Sequence, residues 1–538
     1  MDVIFSNYNY DIIIIGGGIT GLFLSYILSD TGLRIIIFET EDKLGGRIKT
    51  IKTDGIQYEA GAARFHSSHL KLLTLIDDLG LSKNKFKLPE KIDTILRTKK
   101  NNSDYNTSFK LDLKELLNQS YEISKDMKKE ELINITYEQY LISIFDFETT
   151  QFIKHSFGYD SEFESMNAYT ALQMFKDDFF KEEDYYVLGG GLYQIVDKLE
   201  DILRKKENVT IKLNCSIQEI HDNYVMTDKK QKFKYNHLIS TIPSNKLRNF
   251  EFFKDKLEIL KAVKPVPLLR VYMKYNDTWF RNIKRTTTDN ILRHIIPIDY
   301  DNGLIMITYT DGQYASMWNA SYSNGDDYFV KLIHKEIYDL FKIKPPDPEK
   351  VYFHYWNTGL NTWSPGFDSD VISEQVLKLY DDKEIYICGD SYSLKQGWIE
   401  GCLETAYKVI KKLSLEGFEV VSDMEIINKD ITKEEEDENK EYELSYILKD
   451  KKNEWIIIDL NGTDKANIYD VSKWKSSHPG GTSNIEEGLK CNRFYLNGDG
   501  IPPIELFKKY HSEAVIEKHF VKMENPLVKK VGVVLIHK

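Results

Sequence analysis

Residues 10–39 read YDIIIIGGGITGLFLSYILSDTGLRIIIFE, and the fold turns on them. Asp11 to Ile15 is an apolar run, the pattern of a parallel strand covered on both faces. Three glycines follow with the spacing GxGxxG: Gly16, Gly18 and Gly21. The first permits a tight turn, the second lets a pyrophosphate approach the backbone, and the third lets helix and strand pack closely. The pattern predicts a helix from about Ile19, a second strand from Arg34 to Phe38, and an acid, Glu39, at its end. The helix N-terminus offers free N–H groups and a favourable dipole to phosphates. A carboxylate at position 39 accepts hydrogen bonds from a ribose and repels a 2′-phosphate, so FAD or NAD is expected rather than NADP. A lone GxGxxG is weak, but here strand, turn, helix, second strand and acid fall in order.

The surrounding 538 residues have room for two or more domains, and a hydrophobic content of 41% supports a sizeable core. The net charge of -12, with no strong basic block, argues against nucleic acid as the main partner. The four cysteines (Cys215, Cys388, Cys402 and Cys491) are widely spaced and form no CxxC pair. They indicate neither a zinc site nor a disulfide framework, and reduced thiols in a cytosol-like compartment are the simplest reading. The opening MDVIFSNYNYD lacks the basic and apolar regions of a signal peptide, and the apolar runs are too short to span a bilayer as helices. A cytoplasmic chain is the expectation. The closing VGVVLIHK reads as a final strand packed on its own domain.

From Tyr10 to about Gly417 β-type runs mix with helix-type periods, as in an α/β protein. Residues 84–148 read as helices and loops inserted into the nucleotide-binding frame. The composition then shifts to charged residues in TKEEEDENKEYELS, which predicts an acidic linker over 421–450. Apolar content returns with EWIIIDL, opening a second small domain over 451–525, followed by a tail over 526–538.

Beyond Glu39, TEDKLGGRIKT places Gly45, Gly46 and Arg47 where a flexible turn and a guanidinium can neutralise a pyrophosphate. Three further stretches extend the pattern. They are YEAGAARFH (58–66), YYVLGGGLYQIVDKLEDIL with VTIKLNCSIQEI (185–203 and 209–220), and IYICGDSYSLKQGWIEGCLETAYKVI (385–410). With them the chain resembles the flavin-dependent amine oxidase family, which includes monoamine, polyamine and L-amino-acid oxidases, over nearly all of residues 10–415.

The resemblance implies an α/β FAD-binding domain of Rossmann type joined to an α+β substrate domain of amine-oxidase type within residues 1–420. The FAD-binding parts would be about 10–65, 185–245 and 380–415, and the substrate and helical parts about 66–184 and 246–379. Beside the three glycines, Glu39, Gly46 and Arg47, it assigns Ala62, Ala63 and Ile217 to the cofactor. In the last motif Gly389 and Asp390 end a strand over Ile385 to Cys388. There an acid binds a ribityl hydroxyl, and Asp390 stands where the family usually has glutamate. Gly397, Trp398 and Ile399 lead into a helix near Glu400, whose N–H groups would face the flavin's pyrimidine oxygen.

In such enzymes the substrate's C–H bond gives hydride to the flavin, and the protein positions the substrate, keeps its amine neutral and excludes water. Trp398 stands where the family has an aromatic wall beside the substrate, with plain core as the other reading. Arg64, in GAARFH, matches the L-amino-acid-oxidase version, in which a planar guanidinium grips the substrate carboxylate. Its alternative is an arginine bound to a protein carboxylate or to the flavin side of the fold. Arg270, in VPLLRVYMKYNDTW, matches a lysine that holds water near the flavin in many relatives, with Lys274 as the alternative counterpart. An arginine stays charged and cannot act as a tunable base, which implies slow reaction with oxygen. Phe367 and Asp368 stand where monoamine oxidases carry a flavin-linking cysteine and an aromatic partner, so non-covalent FAD is expected. Trp356 and Trp363 either line the pocket or are structural.

Residues 453–481, NEWIIIDLNGTDKANIYDVSKWKSSHPGG, resemble the start of a cytochrome b5-like haem domain, a small α+β unit. The resemblance implies haem b, its iron held by His478 and by His511 in FKKYHSEAVIEKHF, with His519 as the alternative second ligand. The combined reading is an FAD-dependent amine or L-amino-acid oxidoreductase that passes electrons to the haem, to a redox protein or to oxygen. The rivals are a polyamine oxidase, a flavin desaturase or porphyrinogen-type oxidase, and a non-catalytic FAD- and haem-binding protein.

Overall fold

Ile12, Ile13, Ile14 and Ile15 are buried, as are Ile35, Ile36, Ile37 and Phe38. Side chains alternate across a strand, so runs buried at every position require cover on both faces of the sheet. In the computed structural model these runs are strands β1 (Phe5–Ile15) and β2 (Ile35–Phe38), paired in parallel and joined by helix α1 (Ile19–Leu28). The structure describes residues 5–88, 95–97, 112–179, 184–415, 441–442, 455–458, 465–470 and 529–535. The chain divides into two units, Met1–Ser422 and Asp423–Lys538.

In the first unit, β1 and β2 are the centre of a seven-stranded sheet. Lys232–Ser240 runs parallel to β1 on one side, and Val209–Lys212 runs parallel to β2 on the other. Ile385–Ile387 is parallel to Lys232–Ser240, so the predicted last motif reaches the same sheet. The six-stranded sheet is built on the long antiparallel pair Val263–Lys274 and Lys350–Trp363, followed by Leu304–Asp311, His294–Asp299, Thr286–Thr288 and Ile95–Arg97. Helices between residues 113 and 179 form a separate apolar cluster around Leu117, Tyr137, Tyr140 and Phe163. A three-stranded sheet pairs Phe65–His66 with Tyr185–Leu188 and then Lys85–Lys87. That pairing sets the GAARFH segment against the start of the second motif.

The helical part is tied to the six-stranded sheet by buried charge. Arg293 donates to Asp160 at 2.7 Å, with side chains 1% and 2% exposed. Asp311 accepts from the backbone N–H groups of Asp160 and Ser161, at 3.0 and 2.9 Å, and from the Ser161 hydroxyl. Removing one partner of such a pair leaves a buried charge uncompensated, which costs about 3–5 kcal/mol. Arg293→Met is expected to lower the chemical denaturation midpoint of the first unit by a corresponding amount. An unchanged midpoint would show that the pair contributes nothing.

The described strands of the second unit form a four-stranded sheet in the order Glu441–Tyr442, Lys529–Leu535, Lys465–Asp470, Trp455–Ile458. Ile468 and Tyr469 are buried there. The final apolar run is thus a strand within its own unit. His478, His511 and His519 lie outside the described residues. Among the described residues no helix is long and apolar enough to cross a membrane.

Candidate active site

The turn between β1 and α1 fits a dinucleotide. Gly18 caps α1 without a side-chain hydrogen bond, and the first turn carries no acid, so backbone N–H groups there are left for a ligand. A methyl group built on Gly18 meets nothing within 4 Å, so the second glycine of the motif borders open space. Built on Gly21, the same group comes within 2.1 Å of the Gly16 carbonyl oxygen, so the third glycine is where helix and turn touch. Glu39 is held in place by the N–H of Gly17 at 2.8 Å and that of Glu41 at 2.9 Å.

Arg47 and Asp390, read from sequence as separate cofactor contacts, are brought together as an ion pair at 2.9 Å with side chains 30% and 3% exposed. Arg47 also donates to the Gly359 carbonyl at 3.0 Å. The other Asp390 oxygen accepts from the Gly397 N–H at 2.6 Å. Asp390 therefore fastens the Arg47 turn to the segment leading to Trp398. Ala62 donates to the Arg47 carbonyl at 3.0 Å, and Gly46 lies against Gly18. Ala63 is half-buried beside Arg64, and Gly389 donates to the Thr405 hydroxyl at 2.9 Å. Ile217 begins a strand and packs in the apolar core beneath the sheet. The helix predicted near Glu400 begins at Ile399, which is buried, and Glu400 accepts from the N–H groups of Lys71 and Leu72 at 3.0 and 2.9 Å.

No thiol stands at the linking position. Phe367 packs against the core, and Asp368 caps the helix Ser369–Leu377 and pairs with Lys129 at 2.9 Å. The Cys402 thiol is near Arg47 and Asp390, and burial pushes its pKa up to about 11, which keeps it neutral. Trp356 and Trp363 are both fastened through their indole N–H groups, to the carbonyls of Ala60 at 2.8 Å and Ser393 at 3.0 Å. Trp363 is fully buried and structural.

A second group of side chains comes from the three-stranded sheet around Phe65–His66 and Tyr185–Leu188, and a third from the six-stranded sheet and the helical part. The Arg64 guanidinium lies over the Tyr185 ring at 4.8 Å. Tyr185 meets His66 edge-on at 4.2 Å, and His66 and His69 each meet Trp398 at 4.9 Å. Trp398 is therefore joined to Arg64 through an aromatic chain. Burial, with His66 beside it, lowers the His69 pKa to about 3, so that ring stays neutral through ordinary pH.

Arg270 is buried on the strand Val263–Lys274, donates to the Glu59 carbonyl at 3.0 Å and lies over the Tyr309 ring at 4.4 Å. Lys274, at the far end of that strand, is paired with Glu349 at 2.6 Å. Tyr309 meets Tyr159 at 5.1 Å, and Tyr159 meets His294 at 4.6 Å. Burial raises the Tyr159 hydroxyl, as does Tyr309, while Arg64, Arg285 and Arg270 all pull it down. Tyr159 thus lies within electrostatic reach of three guanidiniums. No carboxylate among the described residues pairs with Arg64, Arg270 or Arg285.

Tyr185 opens the second motif, whereas Tyr159, Tyr309 and Arg285 carry no motif of their own. The available signal was the helix stop at Gly158, in the left-handed region at φ 89, which turns Tyr159 out of the helix Phe147–Phe157.

Residues 19–409 match the family model described as flavin containing amine oxidoreductase. A probable flavin-containing monoamine oxidase A of Dictyostelium discoideum is 35% identical over 72 residues, 13% of this chain and 16% of that protein. An L-glutamate oxidase precursor of Streptomyces diastatochromogenes is 42% identical over 85 residues, 14% of this chain and 13% of that one. The chain thus spans a small part of the length of these curated relatives. A solved triple mutant of putrescine oxidase has the same fold, with a TM-score of 0.61 at 15% identity, over 76% of this chain and 99% of that one.

Proposed function

Because the chain belongs to the flavin-containing amine oxidoreductase family, we propose that it binds FAD without a covalent link and oxidises a small amine, an L-amino acid fitting best. The observation that carries the reading is Arg64. It has no acid partner among the described residues, is half-buried, and is linked through Tyr185 and His66 to Trp398. A guanidinium held this way is ready for a substrate carboxylate.

FAD, when bound, supplies the acceptor for the hydride of the substrate C–H bond. Gly18, the N-terminus of α1 and Glu39 would hold it. Arg47 would stand beside the pyrophosphate with most of its charge already taken by Asp390. The residues around the substrate do three further things. Arg64 fixes the carboxylate and so the orientation of the α-carbon. The rings of Trp398, Tyr185, His66 and His69 exclude water without adding charge, His69 being neutral. The positive field of Arg64, Arg270 and Arg285 disfavours an ammonium group and so favours the neutral amine, the form that gives up hydride. A polyamine is poorly served by the same field, because polycations need carboxylates around them.

The haem of the second unit or a redox protein is the proposed acceptor of the electrons, with oxygen as the other candidate, because Arg270 stays charged and argues against rapid reaction with oxygen. For the second unit we propose haem b held by His478 and His511, resting on the HPGG turn and the strand pattern before it.

One spectroscopic experiment tests these points. The purified full chain is expected to show flavin bands that bleach when L-amino acids are added without oxygen. Acid precipitation is expected to leave the flavin in the supernatant. A haem band that is absent from His478→Ala supports the second unit's role, and a full chain without that band refutes it. Flavin that no amino acid or simple amine bleaches would refute the oxidation reading.

A further inference from the structure

His66 and His69 are buried, 0% and 2% exposed, whereas Arg64, Tyr185 and Trp398 around them are half-buried. Burying a polar ring costs free energy that an apolar side chain filling the same space would avoid. Both imidazoles are held in place. His66 lies in the two-residue strand Phe65–His66, opposite Tyr185 in the register of the three-stranded sheet. Its backbone N–H donates to Nδ1 of His69 at 3.3 Å, and the His69 N–H donates back to the His66 carbonyl at 3.2 Å. A ring nitrogen that accepts carries no proton, so the neutral His69 ring holds its proton on Nε2.

The two imidazoles are nearly parallel, 9° apart with centroids at 5.0 Å, and the Trp398 ring meets each at 4.9 Å, inclined by 62° and 69°. Three centroids at almost equal separations hold the indole against both imidazoles, in the edge-to-face arrangement that ring quadrupoles favour. The Trp398 backbone is tied to the same place. The helix Leu70–Asp78 starts directly after His69, and the N–H groups of Lys71 and Leu72 in its first turn bind Glu400, two residues beyond Trp398. His66 also meets the Tyr185 ring edge-on, at 4.2 Å and 80°, and the Arg64 guanidinium lies over that ring at 4.8 Å. One buried imidazole thus touches both the indole and the ring that carries the guanidinium.

We propose that His66, braced by His69, is a positioning residue that sets Arg64 and Trp398 relative to each other, so that the grip on a substrate carboxylate and the aromatic wall act as one unit. The inference rests on the reading of Arg64 as the carboxylate site, and adds how that site is held and why its two sides are not independent. A flat ring can stack on one neighbour and meet two others edge-on, which no aliphatic side chain does. A misplacement of about 1 Å between groups that orient a substrate lowers its rate by about a hundredfold, so the spacing of Arg64 and Trp398 is a determinant of turnover.

The test is a double-substitution cycle on Arg64 and Trp398 in the flavin-loaded full chain, read by calorimetric binding of 3-phenylpropanoate, which has a carboxylate and an apolar ring but no amine to oxidise. Arg64→Met and Trp398→Leu are each expected to weaken binding about tenfold or more. The double variant is expected to bind about fivefold or more tightly than the product of the two losses implies, because either change alone already loosens the other group. In a His66→Leu background the same cycle is expected to be additive, and in His66→Phe, which keeps a ring, the coupling is expected to return. In turnover of the best L-amino acid, His66→Leu should lower kcat about tenfold or more while KM changes less and flavin content stays the same. A residue that only stabilises the fold would lower the thermal midpoint and leave the coupling as in the wild type. Additivity in the wild-type chain overturns the proposal, and that arm needs no variant of His66 to fold. Coupling that persists undiminished in His66→Leu overturns it as well. If 3-phenylpropanoate does not bind the wild-type chain the proposal also falls, whereas bleaching by simple amines would then leave the oxidation reading intact. Coupling without bleaching by any amino acid or amine would sustain the positioning role and refute the oxidation.

Discussion

Replacing Gly21 with valine is expected to give a chain that purifies without flavin. Even a single methyl group at this position comes within 2.1 Å of the Gly16 carbonyl oxygen, and that oxygen belongs to the backbone of the turn itself. Ordinary overpacking costs about 1–3 kcal/mol. Here the obstacle is not a side chain that can rotate, so α1 must move off β1 and take its N-terminal N–H groups away from the phosphates. Gly18→Ala is the informative companion. Its methyl group meets no protein atom within 4 Å, and the backbone at φ -72 accepts any residue. Its thermal stability without cofactor is expected to match the wild type, while its flavin affinity falls because the methyl occupies ligand space. Flavin content by absorbance and helix content by circular dichroism separate the two effects. A Gly21→Val chain that keeps stoichiometric flavin would show that this turn does not hold the cofactor.

Arg64→Met is expected to lower kcat/KM for the best L-amino acid by about a hundredfold or more, the cost of removing one side of a desolvated charge pair. Arg64→Lys should recover only part of this, because a point charge cannot present two parallel donors to a carboxylate. The loss should be specific. A simple amine has no carboxylate, so its turnover, however slow, should not fall. If the protein oxidises simple amines well and amino acids no better, and both activities survive Arg64→Met, the assignment of Arg64 fails. Flavin affinity is the control, since a residue serving the cofactor would lower both activities together.

The nucleotide turn was legible in the sequence because its determinants are local: an apolar run, three glycines and an acid within thirty residues. Arg64 and Trp398 were legible through resemblance, and the structure joins them through Tyr185 and His66. Arg285 and Tyr159 were not legible. Neither lies in a recognisable motif, and Tyr159 meets His294 and Tyr309 only because the helical part and the six-stranded sheet are packed together. The partnership of Arg47 with Asp390 was missed for a related reason. Each reads as a cofactor contact on its own segment, and only the crossing of distant segments makes them each other's partner. Asp368 stands where monoamine oxidases carry an aromatic partner, and here its carboxylate is occupied at a helix N-terminus and by Lys129.

The Arg47 turn also bears on how the protein is made. Its guanidinium is fastened by Gly359 and Asp390, which lie 312 and 343 positions further along the chain. β1, α1 and the turn itself emerge early in synthesis, but the groups that fix Arg47 emerge near the end of the first unit. A ribosome-bound chain stopped before Asp390 would hold the glycine turn with an unanchored guanidinium and no clasp on the Trp398 segment. Cofactor loading should therefore be a late event in biogenesis, taking place on a nearly finished polypeptide rather than on the nascent N-terminal segment.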